Sequence, residues 1–322
     1  MNNLQPTNIS LGRQREEPAG DIRNPFQRDV DRITHSKSFR RLTHKTQVFL
    51  NPEGDHYRTR LTHTLEVTRI ARTISRALGL NEDLTEAIAI GHDLGHTPFG
   101  HAGERALNEI LGRGAEPLSF RHNVQSLRVV DRIEKDGRGL NLTLETRDGI
   151  LCHTGAKRPD TAEGCVVRLS DRVAYLNHDL DDALRAGILG EADIPNEVTC
   201  AFGDTTSERI DTIVRDIVEY SRTVGEIALS PSRVLAFDGF YHFMFDAVYR
   251  NPVAKGEESK VLGLMEAIFA YFEQNPDKLP PDYRTIAEAD GLRRAVADYV
   301  SGMTDSYAIA VYERLFIPNA WR

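Results

Sequence analysis

His63, the doublet His92-Asp93 and Asp171 are the residues best suited to chemistry. Two imidazoles and two carboxylates on three separate segments suit one hard or borderline divalent cation, with coordination positions left for water and a phosphate oxygen. The mixed nitrogen and oxygen set fits manganese, iron or magnesium and leaves nickel, cobalt and zinc open. A bare His-Asp doublet carries little weight, since His178-Asp179 repeats it. The surroundings carry more: Arg60-Leu-Thr-His63 before it, Gly91-His-Asp-Leu-Gly-His-Thr-Pro-Phe-Gly-His101-Ala-Gly-Glu104 around it, and Arg168-Leu-Ser-Asp171-Arg-Val-Ala-Tyr175 after it. Asp171 sits between Leu169 and Val173 in an apolar stripe, where a carboxylate is expensive unless paired or metal-bound.

His101 and Glu104 are three residues apart and share a helix face. A carboxylate bonded to an imidazole fixes its tautomer and raises its basicity, so the pair has the form of an acid–base or nucleophile unit. His96, four past His92, is a candidate for the same cavity. From Arg23 to Arg60 there are nine Lys/Arg against four Asp/Glu. Arg40, Arg41, Lys45, Arg58 and Arg60 are therefore candidates for a polyphosphate cradle.

The elements that must position these residues read as helices. Leu65, Ile70, Ile74 and Leu78 recur near helical period over Thr62 to Leu78, with Gly79 as C-cap. A second helix is predicted over Glu82 to Leu94, carrying His92-Asp93 on adjacent positions roughly 100° apart. Pro98 stops it, and a new helix follows from Pro98 or Phe99 to Leu111. His122 to Ile133 and Val166 to Leu184 read as helix, the latter with Val166, Leu169, Val173, Leu176 and Leu180 on one stripe. Further helices are predicted near 207–227, 235–250, 259–273 and 284–300, with Pro280-Pro281 between the last two. Asn51-Pro-Glu-Gly54 is a turn signal, and 136–147 and 155–164 read as loop. No alternation reaches strand length, so the chain is expected to be all-α.

The 322 residues allow one large helical domain or two small ones. A formal charge of −8 argues against a general polyanion binder while leaving room for a local basic pocket. Cys152, Cys165 and Cys200 form no CxxC pair, fit a reducing compartment and are expected to be inert buried thiols. No apolar stretch reaches membrane-span length, and the polar first 20 residues lack a secretory h-region, so a cytoplasmic location without membrane contact is expected. Residues 1–20 are expected to be loosely attached, 21–190 to form the core, and 191–322 to add helices packed on it.

The chain resembles the HD-domain phosphohydrolases, and within them the deoxynucleoside-triphosphate triphosphohydrolases of the deoxyguanosine-triphosphatase-like family. The matching stretches are Asn24-Pro-Phe-Gln-Arg-Asp-Val-Asp-Arg-Ile, Ser38-Phe-Arg-Arg-Leu-Thr-His-Lys-Thr-Gln-Val-Phe, Arg60-Leu-Thr-His, Gly91 to Glu104, Phe120-Arg-His-Asn-Val-Gln-Ser and Arg168 to Arg185. The resemblance implies an all-α HD core with additional C-terminal helices, and metal-dependent hydrolysis of a dNTP, with dGTP a candidate, to deoxynucleoside and inorganic triphosphate. It implies His63, His92, Asp93 and Asp171 as ligands of manganese or magnesium first, with iron, cobalt, nickel or zinc as alternatives. It implies His101 and Glu104 as the catalytic pair. Gln47 matches a deoxyribose contact, Tyr175 a wall against the sugar, and Asp179 a partner of the 3′-hydroxyl. Arg60, His96, His122 and Arg172 match phosphate-contacting positions, to which the basic stretch adds Arg41. A homo-oligomer, with a hexamer as one option, and single-stranded DNA are the further partners to consider. The rival readings are another HD phosphohydrolase, such as a nucleoside 5′-monophosphatase or an alarmone hydrolase, and a non-catalytic single-strand-binding regulator.

Overall fold

A computed structural model describes residues 4–18, 22–47, 58–113, 116–250 and 256–318. The predicted turn at Asn51–Gly54 lies outside them. The chain is all-α: among the described residues there is no strand, only isolated bridges between Arg13 and Thr143 and between Thr46 and Thr59. The helices are α1 (Pro25–Thr34), α2 (Lys37–Arg41), α3 (Arg60–Leu78), α4 (Glu82–Gly91), α5 (Gly100–Gly112), α6 (His122–Arg128), α7 (Leu144–Cys152), α8 (Ala162–Arg185), α9 (Asn196–Phe202), α10 (Thr206–Val224), α11 (Pro231–Met244), α12 (Glu258–Gln274), α13 (Pro281–Asp290), α14 (Leu292–Ser301) and α15 (Asp305–Phe316). Val129–Ile133 and Phe245–Tyr249 continue α6 and α11 as π-turns. No described helix is long and apolar enough to cross a membrane.

Two compact units share the chain. One is drawn from residues 1–31, 62–90 and 143–256, the other from 32–61, 91–142 and 257–322. Both are discontinuous in sequence.

In the first unit the stripe Val67, Ile70, Ala71, Ile74 and Leu78 of α3 is buried, whereas Leu65, expected inward, is 49% exposed. Helix α8 packs against α7, α10 and α11. Its N-cap is Thr161, whose hydroxyl accepts the Gly164 N–H at 3.1 Å, one of the orphan donors of a helix start. The stretch 155–164 is thus loop only as far as Thr161, and 136–147 only as far as Thr143, which caps α7. Gly149 of α7 lies so close to α4 that an added Cβ would fall 2.4 Å from Ile88 Cδ1. Residues 4–18 are not loosely attached. Buried Glu163 accepts from the Thr7 N–H and hydroxyl, both at 2.9 Å, and buried Glu145 accepts from Leu11 N–H and the Ser10 hydroxyl. Arg13 pairs with buried Asp29 at 2.5 Å. Polar anchoring of this kind leaves no apolar periodicity to detect.

In the second unit α5, α12, α14 and α15 enclose a core that includes Leu107, Leu111, Met265, Ile268, Phe269, Val296 and Val300. The predicted helix over 284–300 is two helices, broken at Gly291 (φ 90°), a conformation that suits glycine. No helix is expected from the sequence at α1, α2, α7, α9 or α15. The turn after α4 docks on α6: Ser126 Oγ donates to the His92 carbonyl at 2.6 Å and accepts the Gly95 N–H at 2.9 Å.

That docking requires Gly95. A Cβ there would meet backbone on three sides, 2.1 Å from Ser126 N, 2.4 Å from Gln125 C and 2.6 Å from the His122 carbonyl oxygen. Backbone cannot rotate away as a side chain can. Gly95→Ala is therefore expected to destabilise the protein by at least the roughly 1–3 kcal/mol typical of overpacking. Chemical denaturation of the two proteins measures this, and an unchanged midpoint would show that the approach is looser than described.

Candidate active site

The sequence placed His92 and Asp93 inside a helix. Helix α4 instead ends at Gly91, and the doublet lies in the tight turn that follows. Both side chains are buried. Asp93 Oδ2 accepts from Arg60 Nη1 at 2.8 Å, and its Oδ1 lies 3.7 Å from His92 Nε2 and 3.8 Å from His96 Nε2. Burying such charges is costly unless they are paired, and the Arg60–Asp93 ion pair supplies the partner. Arg60 has further capacity. Among the described residues its Nε and Nη2, both buried, meet no hydrogen-bond acceptor. The same holds for His96 Nδ1 and, as an acceptor without a donor, Gln47 Oε1.

Helix α5 carries the second cluster of this unit. It starts after Phe99, whose φ of 63° is rare for a non-glycine residue, and Gly100 follows at 56°. Glu104 is held by two histidines: His101 Nδ1 lies 3.1 Å from Oε2, and His122 Nδ1 lies 2.9 Å from Oε1. The His122 backbone N–H also donates to Oε1 at 2.7 Å. Burial would raise the Glu104 pKa, but the hydrogen bonds from His101 and His122 override it and hold the carboxyl well below the usual range. Burial lowers the His101 pKa, while the Glu104 bond works against it. With 43% of its side chain open to solvent, the ring keeps a face that limits that lowering. His96 stacks on His122 with centroids 4.2 Å apart and planes 16° apart. Burial first, then the Arg60 charge, keep His96 neutral by pushing its pKa well down. His96, His101, Glu104 and His122 form one cluster whose ligand atoms lie within 4.8 Å of one another.

In the other unit His63 Nε2 lies 3.1 Å from Asp171 Oδ1, with the imidazole buried and the carboxylate 23% exposed. Each of the pairs His63–Asp171 and His92–Asp93 offers an imidazole nitrogen beside a carboxylate oxygen, donor types that fit a divalent cation. Tyr175 and Asp179 stand one turn apart on α8. Tyr175 stacks on Tyr249 with centroids 5.1 Å apart, and the Tyr249 hydroxyl donates to Asp179 Oδ2 at 2.6 Å. Burial, then the Asp179 charge, raises the Tyr249 pKa well above its ordinary value. Tyr249 was missed because it lies in a predicted helix with no motif around it. Arg172 is half exposed, 3.4 Å from Asp238 and over the Phe237 ring at 5.1 Å.

The expected cradle of basic side chains needs correction. Lys45 is 3% exposed, and its Nζ donates to the His96 carbonyl and, at 2.8 Å, to the Ser301 carbonyl. Arg41 donates to the Gly302 carbonyl at 2.7 Å and Arg40 to the His35 carbonyl at 3.1 Å. Arg58 is half-buried. Of the cysteines only Cys152 is buried; Cys200 is exposed.

Residues 60–176 match the HD domain and residues 227–314 the phosphohydrolase-associated domain. The chain is 54% identical to a deoxyguanosinetriphosphate triphosphohydrolase-like protein of Caldanaerobacter subterraneus subsp. tengcongensis, over 97% of this chain and 91% of that protein. Proteins of the same description from Clostridium tetani (47% identical, 96% and 90% covered) and Ralstonia pickettii (40%, 96% and 92%) are also similar. An all-α core with buried His-Asp donors and an HD match make this a metal-dependent phosphohydrolase of the HD class. The chain belongs to the deoxyguanosinetriphosphate triphosphohydrolase-like family of HD-domain proteins.

Lys45 generates a test of the site's electrostatics. Burial, with help from the Arg41 charge, lowers its pKa from 10.5 to about 7. Between those values the unfolded chain holds a proton that the folded chain has lost, so stability rises with pH across that window and the contribution is flat below it. Measured against Lys45→Met, which lacks the titration, the wild type should gain about 1 kcal/mol per pH unit between pH 7.5 and 9.5. Urea midpoints across that range read it, and a pH-independent difference would show that the amine keeps its proton.

Proposed function

We propose that this protein hydrolyses deoxynucleoside triphosphates to deoxynucleoside and inorganic triphosphate. The observation that carries the proposal is Arg60: a buried guanidinium with one nitrogen on Asp93 and two that meet no acceptor among the described residues, in the same unit as His96, His101 and His122. Guanidinium N–H groups in a dry setting demand an anion, and a phosphate chain presents several oxygens to one fork.

His63, His92, Asp93 and Asp171 are the proposed ligands of one divalent cation, manganese or magnesium by their donor types. Such a cation supplies Lewis-acid polarisation of a phosphoryl oxygen. The chain's own residues do the rest. Arg60 binds phosphate oxygens and neutralises charge that spreads over them during in-line displacement. Glu104 accepts the Nδ1–H of His101 and so directs Nε2 toward the reacting phosphate. A polyanionic substrate raises the pKa of the adjacent imidazole, so His101 arrives protonated. The water oxygen bonds to the α-phosphorus, the bond to the 5′-oxygen breaks, that oxygen takes the proton from His101, and the proton released by the attacking water restores the imidazolium directly or through solvent. Gln47, Tyr175 and Asp179 are the proposed sugar contacts, with Tyr249 holding the last two in place.

Product analysis tests the reaction: the protein with manganese and each dNTP should release inorganic triphosphate. Orthophosphate would move the reading to the monophosphatases, and single-strand binding without turnover to a regulator. His101→Ala should lower kcat by roughly 10²-fold or more at unchanged metal content, the scale of a lost acid–base group. Asp171→Ala should lose the metal itself, measured by elemental analysis. Metal loss in the His101 variant would reassign that residue as a ligand.

Sugar selection is a separate expectation. A ring braced from behind by Tyr249 makes a stiff wall at C2′, and an apolar wall rejects an added hydroxyl by about 10²-fold. kcat/KM for dGTP should exceed that for GTP by this order, and Tyr175→Ala should narrow the gap. Equal wild-type values would remove the deoxyribose pocket.

A further inference from the structure

Helix α15 begins 206 residues after Phe99 in sequence, yet its first residue reaches the start of α5. Asp305 is 9% exposed. Its Oδ1 accepts the Phe99 N–H at 2.9 Å. Its Oδ2 accepts the Thr46 N–H at 2.9 Å and also the Thr46 hydroxyl. One carboxylate thus ties together the residue before α5 and the residue before Gln47.

What it ties is the least relaxed backbone of the region. Phe99 stands at φ 63° and Gly100 at 56°. A non-glycine residue at positive φ costs on the order of 1 kcal/mol and persists only where its surroundings over-determine it. Phe99 has two such determinants: its ring, 7% exposed in the core, and the N–H held by Asp305. His101 is the second residue of α5, so any rotation about Phe99 swings its ring directly. The end of α14 is tied to the segment just before that turn, since the Ser301 carbonyl accepts from Lys45, which also donates to the His96 carbonyl.

We infer that Asp305 is a positioning residue: it fixes the left-handed turn at Phe99 and thereby the aim of His101 and Glu104. The inference rests on the catalytic role proposed for that pair. A group displaced by about 1 Å costs up to 10²-fold in rate, while substrate affinity depends on other contacts.

The test compares Asp305→Asn with Thr304→Ala. Thr304 caps the same helix by accepting the Tyr307 N–H at 3.2 Å, but its substitution leaves the carboxylate in place. Wild-type turnover is measured first, on dGTP or on whichever phosphate ester the metal-loaded protein cleaves, so failure of the dNTP reading shows there and not in the variants. Asp305→Asn should lower kcat by roughly 10-fold to 100-fold with KM within about threefold. Thr304→Ala should lower stability and leave kcat near wild type. An activity-independent readout is the His101 ring resonance, assigned by its loss in His101→Gln: it should move in Asp305→Asn and not in Thr304→Ala. Equal kcat losses in the two variants, or an unmoved resonance, would overturn the inference. If Asp305→Asn does not fold, Asp305→Glu keeps the charge but moves the carboxylate off the Phe99 N–H, and an unchanged kcat with an unmoved His101 resonance there would overturn it equally.

Discussion

A guanidinium cannot give up its proton, and Arg60 is almost wholly buried, so the surrounding unit is organised around a fixed positive charge. Asp93 answers it at 2.8 Å. Burial is the larger cause, and the Arg60 charge adds to it, in the lowered pKa values of Lys45, His96 and His101. Those shifts favour neutral forms that still act through hydrogen bonds. A neutral amine still has two N–H groups, enough for the two carbonyls that Lys45 holds. A neutral imidazole at His101 still gives one N–H to Glu104 and keeps one lone pair.

The same dipeptide meets two fates in this chain, and the difference is local packing. His92-Asp93 follows the end of α4 in a turn packed on α6 at Gly95, where Asp93 pairs with the buried Arg60 guanidinium and His92 Nε2 lies 3.7 Å from the same carboxylate. His178-Asp179 sits within α8, where His178 Nδ1 lies 3.0 Å from Glu66 and Asp179 accepts from Tyr249. The second doublet thus sends its two side chains to different partners, Glu66 and Tyr249. A helix interior separates adjacent side chains by roughly 100° and sends them to different neighbours; a turn can bring them to one.

What the sequence made legible was governed by short-range periodicity. The stripe of α3 at Ile70, Ile74 and Leu78, the stripe of α8, and the His101–Glu104 pair one turn apart all follow from helical spacing. The rest depended on partners distant in sequence. Tyr249 meets Asp179 across 70 residues and Asp305 meets Phe99 across 206, and no spacing rule reaches that far. The end of α4 was misplaced because Gly91 gives only a weak stop signal before a run that continues to look helical. The segment 4–18 was misread because its attachments are hydrogen bonds to the buried carboxylates of Glu163 and Glu145, which apolar patterning cannot register.

The basic stretch from Arg23 to Arg60 shows why a count of charges is poor evidence for an anion site. Its surplus dissolves into local partners: Arg23 on Asp31, Arg28 on Glu17, Lys37 on Asp136, Arg32 on the carbonyls of Leu140 and Asn141, Arg41 on that of Gly302, Lys45 on those of His96 and Ser301. Exposed pairs of this kind contribute at most about 1 kcal/mol each, but they occupy the donors. Arg60 is the exception, with one nitrogen on a carboxylate and two others that meet no acceptor among the described residues. A donor buried without a partner costs roughly 1–3 kcal/mol, more when charged. On the proposed function, these two donors are the ones that a phosphate acceptor arriving from outside would satisfy. An overall charge of −8 is compatible with this, because recognition by a few desolvated donors needs no basic surface.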